Sequence, residues 1–283
     1  MKHRWFVTDL DGTLLRSNAT LSPYSAEMLA KAAERGWTIA CATARSMVSA
    51  GKIIGGVPWN APLIVYNGAM TIDPQDGRVL DRQLLSAALS NRIIDYGRER
   101  GLQPFVFLLD EQDQERVLHE KLERTGLMQF RASRPGDRRF LKVERLRCDE
   151  RSGTLSLTYI GYYEELTPFY DFICRELSGQ VHAHMMADRY IHNHYFLEFS
   201  DNRANKGEAL RNWCRLVGAD PQAVTVFGDQ LNDIGLFEAA GRRCAVANAH
   251  ETIRAMADTV IPGNDEDGVA RYLERLLRDS SIE

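Results

Sequence analysis

Two stretches of the chain pair carboxylates with glycine directly after an apolar run, and both can do chemistry. The first is Asp9-Leu10-Asp11-Gly12-Thr13, which follows the mostly apolar run from Arg4 to Thr8. Carboxylates spaced i, i+2 can divide two tasks: Asp9 attacks an electrophile while Asp11 gives or takes a proton. Gly12 frees the backbone for a sharp turn. The second is Gly228-Asp229-x-x-Asn232-Asp233, after the apolar run from Ala223 to Phe227. Asp229 and Asp233 reach the crevice of Asp9 if their strands are near neighbours. Three or four carboxylates in one crevice repel each other unless a cation intervenes. A hard divalent ion answers that need, and Mg²⁺ takes oxygen ligands, few carboxylates and a phosphate. A calcium loop of the form D-x-[DN]-x-[DN]-G-x5-E is absent. Two further groups suit an anion. Lys206 opens a helical pattern, where a helix N-terminus and an ammonium add their fields. Thr43, at the end of a strand-like run, offers a hydroxyl and a backbone N–H.

These residues need elements that bring them together. The chain alternates strand and helix at both ends. Strand-like runs at 4–8, 37–42 and 63–66 are separated by helical patterns at 22–35 and 45–54. The rhythm returns after Lys206, with a helix at 206–217, a strand at 223–227 and a helix at 232–240. Shorter elements follow to a last helix at 268–277. Strands joined by helical crossovers imply a parallel sheet with helices on its faces, and ligands bind at the carboxyl edge of such a sheet. The expected fold is α/β: a Rossmann-like core with a smaller α/β insert. The core covers residues 1–83 and 196–283, and the insert covers 84–195. The insert is richer in charge, and its runs around Arg138-Arg139 and Arg145-x-Arg147 read as solvated faces, with a basic wall facing a phosphate ester as the second reading.

The 283 residues carry 35 Lys and Arg against 39 Asp and Glu, a net charge of −4, with 44% apolar residues. This mild acidity argues against a nucleic-acid partner. No stretch of about 18 apolar residues exists, so no membrane partner is expected. The N-terminus lacks the apolar region of a secretory signal. Five scattered cysteines without a C-x-x-C read as reduced thiols, and the expected location is the cytoplasm.

The order Asp9/Asp11, Thr43, Lys206, Asp229/Asp233 at successive strand and helix ends resembles the haloacid dehalogenase superfamily, subclass IIB, the Cof-like phosphatases. The matching residues are Asp-Leu-Asp-Gly-Thr-Leu-Leu at 9–15, Leu21-Ser22-Pro23, Ala42-Thr43-x-Arg45 and Tyr66-Asn67-Gly68-Ala69. Asn205-Lys206-Gly207, Gly228-Asp229-x-x-Asn232-Asp233, Asn248-Ala249 and Glu266-Asp267-Gly268-Val269 complete the set. The resemblance covers both core segments, and the insert sits where that subclass carries its α/β cap, which sets substrate specificity. It implies Asp9 as nucleophile and Asp11 as general acid/base, with Thr43 and Lys206 holding the phosphoryl group. Mg²⁺ is implied on the Asp9 carboxylate, the Asp11 carbonyl and Asp229, with Asp233 in support. Asn232 is implied to contact the substrate phosphate or the metal shell, with Asn67 and Gly68 close by. The family's usual glycine is replaced by Ala44, and Gln230 stands where a smaller residue is commoner. Neither change removes a catalytic group.

The implied activity is Mg²⁺-dependent hydrolysis of a small phosphorylated metabolite, a sugar phosphate or cofactor phosphate, through an aspartyl phosphate. A monomer or small homo-oligomer is expected. Alternatives are a phosphomutase, a specialised sugar phosphatase of the sucrose-phosphate or mannosyl-phosphoglycerate type, and a non-catalytic phospho-ligand sensor. Retention of both nucleophile and proton shuttle argues against a sensor. Four of seven histidines, His182, His184, His192 and His194, fall at i, i+2 spacings that put each pair on one strand face. Strand-surface groups, a substrate contact and a transition-metal site are the three readings of that cluster.

Overall fold

The computed structural model describes residues 4–187 and 191–279. The chain divides into two compact units, Met1–Arg82 with Asn205–Glu283, and Gln83–Ala204.

The first unit begins with β1 (Trp5–Thr8), α1 (Pro23–Glu34), β2 (Thr38–Cys41), α2 (Met47–Ile54), β3 (Leu63–Val65), β4 (Met70–Ile72) and β5 (Val79–Arg82). Local chemistry places the helix starts. The Ser22 hydroxyl accepts from Ser25 N–H with Pro23 in the first turn, and Ser46 accepts from Ser49 N–H in the same way. Ser46 therefore starts α2 at Met47, two residues after the expected Arg45. The second unit holds α3 (Ala87–Arg98), β6 (Pro104–Leu109), β7 (Glu115–His119), α4 (Thr125–Ala132) and β8 (Phe140–Lys142). It continues with β9 (Gly153–Gly161), α5 (Tyr163–Glu176), β10 (Val181–Ala187) and β11 (Tyr195–Asp201). The chain returns to the first unit with α6 (Lys206–Val217), β12 (Val224–Gly228), α7 (Ile234–Ala239), β13 (Arg242–Val246), α8 (Glu251–Met256), β14 (Thr259–Ile261) and α9 (Gly268–Asp279).

In the first unit a parallel five-stranded sheet runs β14-β13-β12-β1-β2. From β1 the chain moves outward to β2, and it later returns to the other side of β1 as β12. Neighbouring strands whose connections leave in opposite directions open a crevice at their carboxyl ends. Asp9 directly follows β1, and Asp229 directly follows β12. The strands are buried on both faces, as a parallel sheet between helices requires. A small antiparallel sheet, β3-β4-β5, adjoins through a parallel bridge between Ala42 and Ile64.

In the second unit a six-stranded sheet runs β10-β11-β9-β6-β7-β8, antiparallel except for the parallel pair β7 and β8. Leu157, Tyr159, Leu166, Phe169, Ile173, Leu197 and Phe199 belong to its core. The expected boundary at residue 195 is thereby corrected. Tyr195–Asp201 is a full strand paired with both β9 and β10, and it buries Leu197 and Phe199 in this unit. The unit ends only at Ala204.

The charged run at 138–139 is corrected as well. Arg139 is buried, and its guanidinium pairs with Glu115 at 2.5 Å and Asp137 at 2.7 Å. Charge spacing alone does not distinguish a solvated arginine from one folded under a strand edge with two carboxylates.

Candidate active site

The Asp-x-Asp segment is held on both sides. Asp9 N–H donates to the Phe227 carbonyl at 2.9 Å, which extends the β1–β12 pairing by one residue and brings Asp9 beside the start of the second acidic segment. Gly12 then takes φ +86°, a conformation that suits glycine, and the chain folds back so that Leu15 N–H reaches the Leu10 carbonyl. The Asn248 amide donates to the Gly12 carbonyl at 2.8 Å, and Asn264 donates to the Leu15 carbonyl at 2.9 Å. The turn is thus tied to the loops after β13 and β14.

Three distant stretches meet at Lys206. Its ammonium donates to Asp9 Oδ1 at 2.5 Å and to Asp233 Oδ1 at 2.6 Å. The carboxylates of Asp9, Asp229 and Asp233 each place an oxygen within 4.8 Å of the others, and all three residues are at most 5% exposed. The second oxygen of Asp233 accepts from the N–H groups of Asp229 and Gln230, which makes Asp233 the brace of its own loop. Thr13 donates its hydroxyl to Asp229 Oδ1 at 3.0 Å, tying the first acidic segment to the second.

Lys206 reaches this position because α6 starts there. Asn205 caps the helix by accepting from Glu208 N–H, and the left-handed Gly218 ends it. Two glycines allow the close approach. A Cβ on Gly207 would lie 2.7 Å from the Gly235 carbonyl oxygen of α7, and one on Gly68 would lie 2.5 Å from the Asn205 carbonyl oxygen.

Electrostatics follow from burial. Burial raises the Asp9 carboxyl well above the usual carboxylate range; Lys206 opposes this, while Asp233 and Asp229 add to it. For Lys206 burial favours the neutral amine, but Asp233 and Asp9 outweigh it and hold the ammonium above the ordinary lysine value. Three carboxylates around one ammonium leave an excess of two negative charges when all are ionised. Buried charge of that kind is costly without a cation. The all-oxygen, all-carboxylate donor set suits a hard ion such as Mg²⁺.

Of the other expected site residues, Asp11 stands outside this cluster. Its two oxygens accept from Arg45 Nε and Nη2, both at 2.6 Å. Thr43 is fully buried, but its N–H already donates to the Ile64 carbonyl, so an anion can draw only on its hydroxyl. That corrects the expectation of a free Thr43 N–H: the bridge from β2 to β3 consumes it. Asn232 donates to the Asn67 side chain at 3.0 Å. Asn67 belongs to a run of three positive φ values, Tyr66 at 52°, Asn67 at 52° and Gly68 at 100°, which bends the chain sharply after β3. Sequence reasoning assigned no role to Thr13 or Arg45. The Thr-x-Arg spacing at 43–45 was the only available signal for the arginine.

Among the described residues no histidine belongs to a group of three metal-ligand side chains. Among the described residues the only group of three such ligands is Asp9, Asp229 and Asp233. His182 and His184 lie on β10 opposite Ser200 and Glu198 of β11. His192 and His194 precede β11 instead of lying on a strand. His194 donates from Nδ1 to the His192 carbonyl and packs on Tyr162 with ring centres 4.7 Å apart. None of the five cysteines forms a disulfide. No helix among the described residues is long and apolar enough to cross a membrane.

Similarity to known proteins agrees with this geometry. The chain is 25% identical over 275 residues to the pyridoxal phosphate phosphatase YbhA of Escherichia coli (strain K12), covering 96% of this chain and 98% of that one. It is 24% identical over 283 residues to the 5-amino-6-(5-phospho-D-ribitylamino)uracil phosphatase YwtE of Bacillus subtilis (strain 168), covering 95% and 96%. A crystal structure of a haloacid dehalogenase-like hydrolase from Bacteroides thetaiotaomicron shares the fold, with a TM-score of 0.80, 22% identity and coverage of 97% and 100%. Residues 6–273 match the family description of haloacid dehalogenase-like hydrolases, and the chain belongs to that family.

Proposed function

We propose that the protein is a Mg²⁺-dependent phosphatase that hydrolyses a small phosphorylated metabolite through a phosphorylated Asp9. The observation that carries this reading is the buried cluster of Asp9, Asp229 and Asp233 at the carboxyl edge of β1 and β12, with Lys206 bonded to Asp9 and Asp233. Mg²⁺ would be held by the Asp9 carboxylate, the Asp11 carbonyl and Asp229, with Asp233 in support. When bound, it supplies positive charge against the phosphoryl oxygens.

The protein's own groups account for the rest. Lys206 and the Thr43 hydroxyl attract the phosphoryl oxygens and hold phosphorus before Asp9. A carboxylate oxygen of Asp9 forms a bond to phosphorus. The bond from phosphorus to the leaving oxygen breaks, and its electron pair goes to that oxygen. Asp11 donates the proton that makes the leaving group a neutral alcohol. Water then attacks the same phosphorus, and Asp11 takes back a proton. The bond to Asp9 breaks, releasing orthophosphate and restoring the carboxylate. Two modest barriers replace one high one. Recognition of the remainder of the substrate is assigned to the inserted unit.

The test is a panel of phosphorylated metabolites that includes pyridoxal phosphate and 5-amino-6-(5-phospho-D-ribitylamino)uracil, the substrates named for the two relatives. We expect phosphate release with Mg²⁺ and none in chelator. The Asp9→Asn protein is expected to be folded and inactive, and measurable hydrolysis by it would remove Asp9 from the nucleophile role.

A further inference from the structure

Lys206 holds Asp9 and Asp233, while the carboxyl assigned to proton transfer, Asp11, lies outside that pairing. It has a cation of its own. Arg45 meets Asp11 side-on, Nε to Oδ2 and Nη2 to Oδ1, both at 2.6 Å, and its Nη1 extends to the Ser49 hydroxyl in the first turn of α2 at 3.4 Å. The Arg45 backbone is anchored too. Its N–H donates to the Thr43 hydroxyl oxygen at 3.1 Å, and its carbonyl accepts from Tyr66 N–H at 3.0 Å. A partly exposed ion pair such as this contributes little to folding. Its geometric content is larger: a planar two-point clamp removes the rotational freedom of a short carboxylate.

We propose that Arg45 is a positioning residue for Asp11, orienting that carboxyl for proton transfer to the leaving group. The proposal rests on the phosphatase reading. Both oxygens of Asp11 face Arg45, so proton transfer exchanges one of the two bonds for the leaving oxygen while the other keeps the carboxyl aligned. The bond from phosphorus to the leaving oxygen breaks toward that oxygen, and the Asp11 proton passes to it as Asp9 takes the phosphoryl group. Orientation of this kind is worth a large factor in rate only where the proton is needed.

The experiment measures kcat/KM with Mg²⁺ on two esters in the full chain. One is the best alkyl phosphate of the panel, and the other is 2,4-dinitrophenyl phosphate, whose leaving group departs without a proton. This ratio reports only steps up to loss of the first product. Arg45→Met is expected to lose about 10- to 100-fold on the alkyl ester and less than about 3-fold on the aryl ester. Arg45→Lys, which keeps the charge without the two-point fit, is expected to fall between, and it serves should Arg45→Met not fold. Added guanidinium ion is expected to restore part of the alkyl activity of Arg45→Met. Asp11→Asn should show the same selective loss, and the double variant should be no worse than Asp11→Asn alone. Equal losses on both esters overturn the proposal, because a missing phosphate contact or a damaged fold acts on both alike. Unchanged alkyl turnover overturns it as well. A wild-type protein that hydrolyses neither ester overturns the phosphatase reading, and this inference with it.

Discussion

Lys206 is the residue on which Asp9 and Asp233 converge. Its side chain is fully buried between Asp9 and Asp233. Removing the ammonium while leaving the carboxylates in place strands buried negative charge, which costs about 3–5 kcal/mol when one partner of a buried pair is lost. Lys206→Met is therefore expected to lose turnover and to unfold at lower urea in chelator. Added Mg²⁺ is expected to recover part of that stability, since the ion offsets the same excess charge. Unfolding curves with and without Mg²⁺ check both statements, and an unchanged midpoint in chelator contradicts them. The residues of this cluster were legible as types and spacings: Asp9, Lys206, Asp229 and Asp233 were each singled out from the chain alone. The partners of Asp11 and Asp229 were not. Arg45 and Thr13 gain their meaning from side-chain directions that residue spacing does not encode.

At the scale of elements, the site depends on two helices packing unusually close. Gly207, one residue into α6, faces Gly235 of α7 with no room for a Cβ. The same helix start is backed by Gly68, which lies against the Asn205 carbonyl. Gly207→Ala would gain helix propensity of up to about 1 kcal/mol in an open helix. Here it must push α7 away, and overpacking of that kind costs about 1–3 kcal/mol. We expect a net loss of stability, together with a fall in activity larger than the stability change explains, because Lys206 moves with its neighbour. Thermal unfolding and kcat/KM on the same preparation test this, and a stabilised, active variant contradicts it. Most elements of the first unit were readable from periodicity and caps. The loop after β3 was readable as a turn at Asn67-Gly68, but its run of positive φ values, starting already at Tyr66, was not.

At the scale of the whole molecule, a second unit interrupts the first between β5 and α6. Burial raises Glu198 of β11 from 4.5 to about 7, with the Thr158 hydroxyl opposing. Its cross-strand neighbours are Thr158 on β9 and His184 on β10. The folded state thus holds this proton more tightly than the unfolded chain. The contribution to stability is fully present below pH 4.5 and is lost as pH rises through about 7. The loss amounts to about 3 kcal/mol at most. Glu198→Gln cannot ionise, so its stability is expected to fall less than that of the wild type between pH 5 and pH 8. Urea unfolding at those two pH values measures the difference, and parallel behaviour of the two proteins excludes this role for Glu198. The second edge of the unit lies beyond the expected one because β11 runs almost directly into α6, separated by four residues, with no composition change to mark the boundary.

The linear chain determined the kind of fold and the groups with chemical capacity. Alternating apolar runs and helical patterns dictate a parallel sheet, and carboxylates placed directly after strands must collect at its carboxyl edge. What only the tertiary structure decided is which of those groups touch. Strand order put β12 beside β1, glycine contacts brought Lys206 between two carboxylates, and an arginine from the loop before α2 took Asp11. Periodicity reports which face of an element is buried. It carries no information about which distant element supplies the other half of the contact.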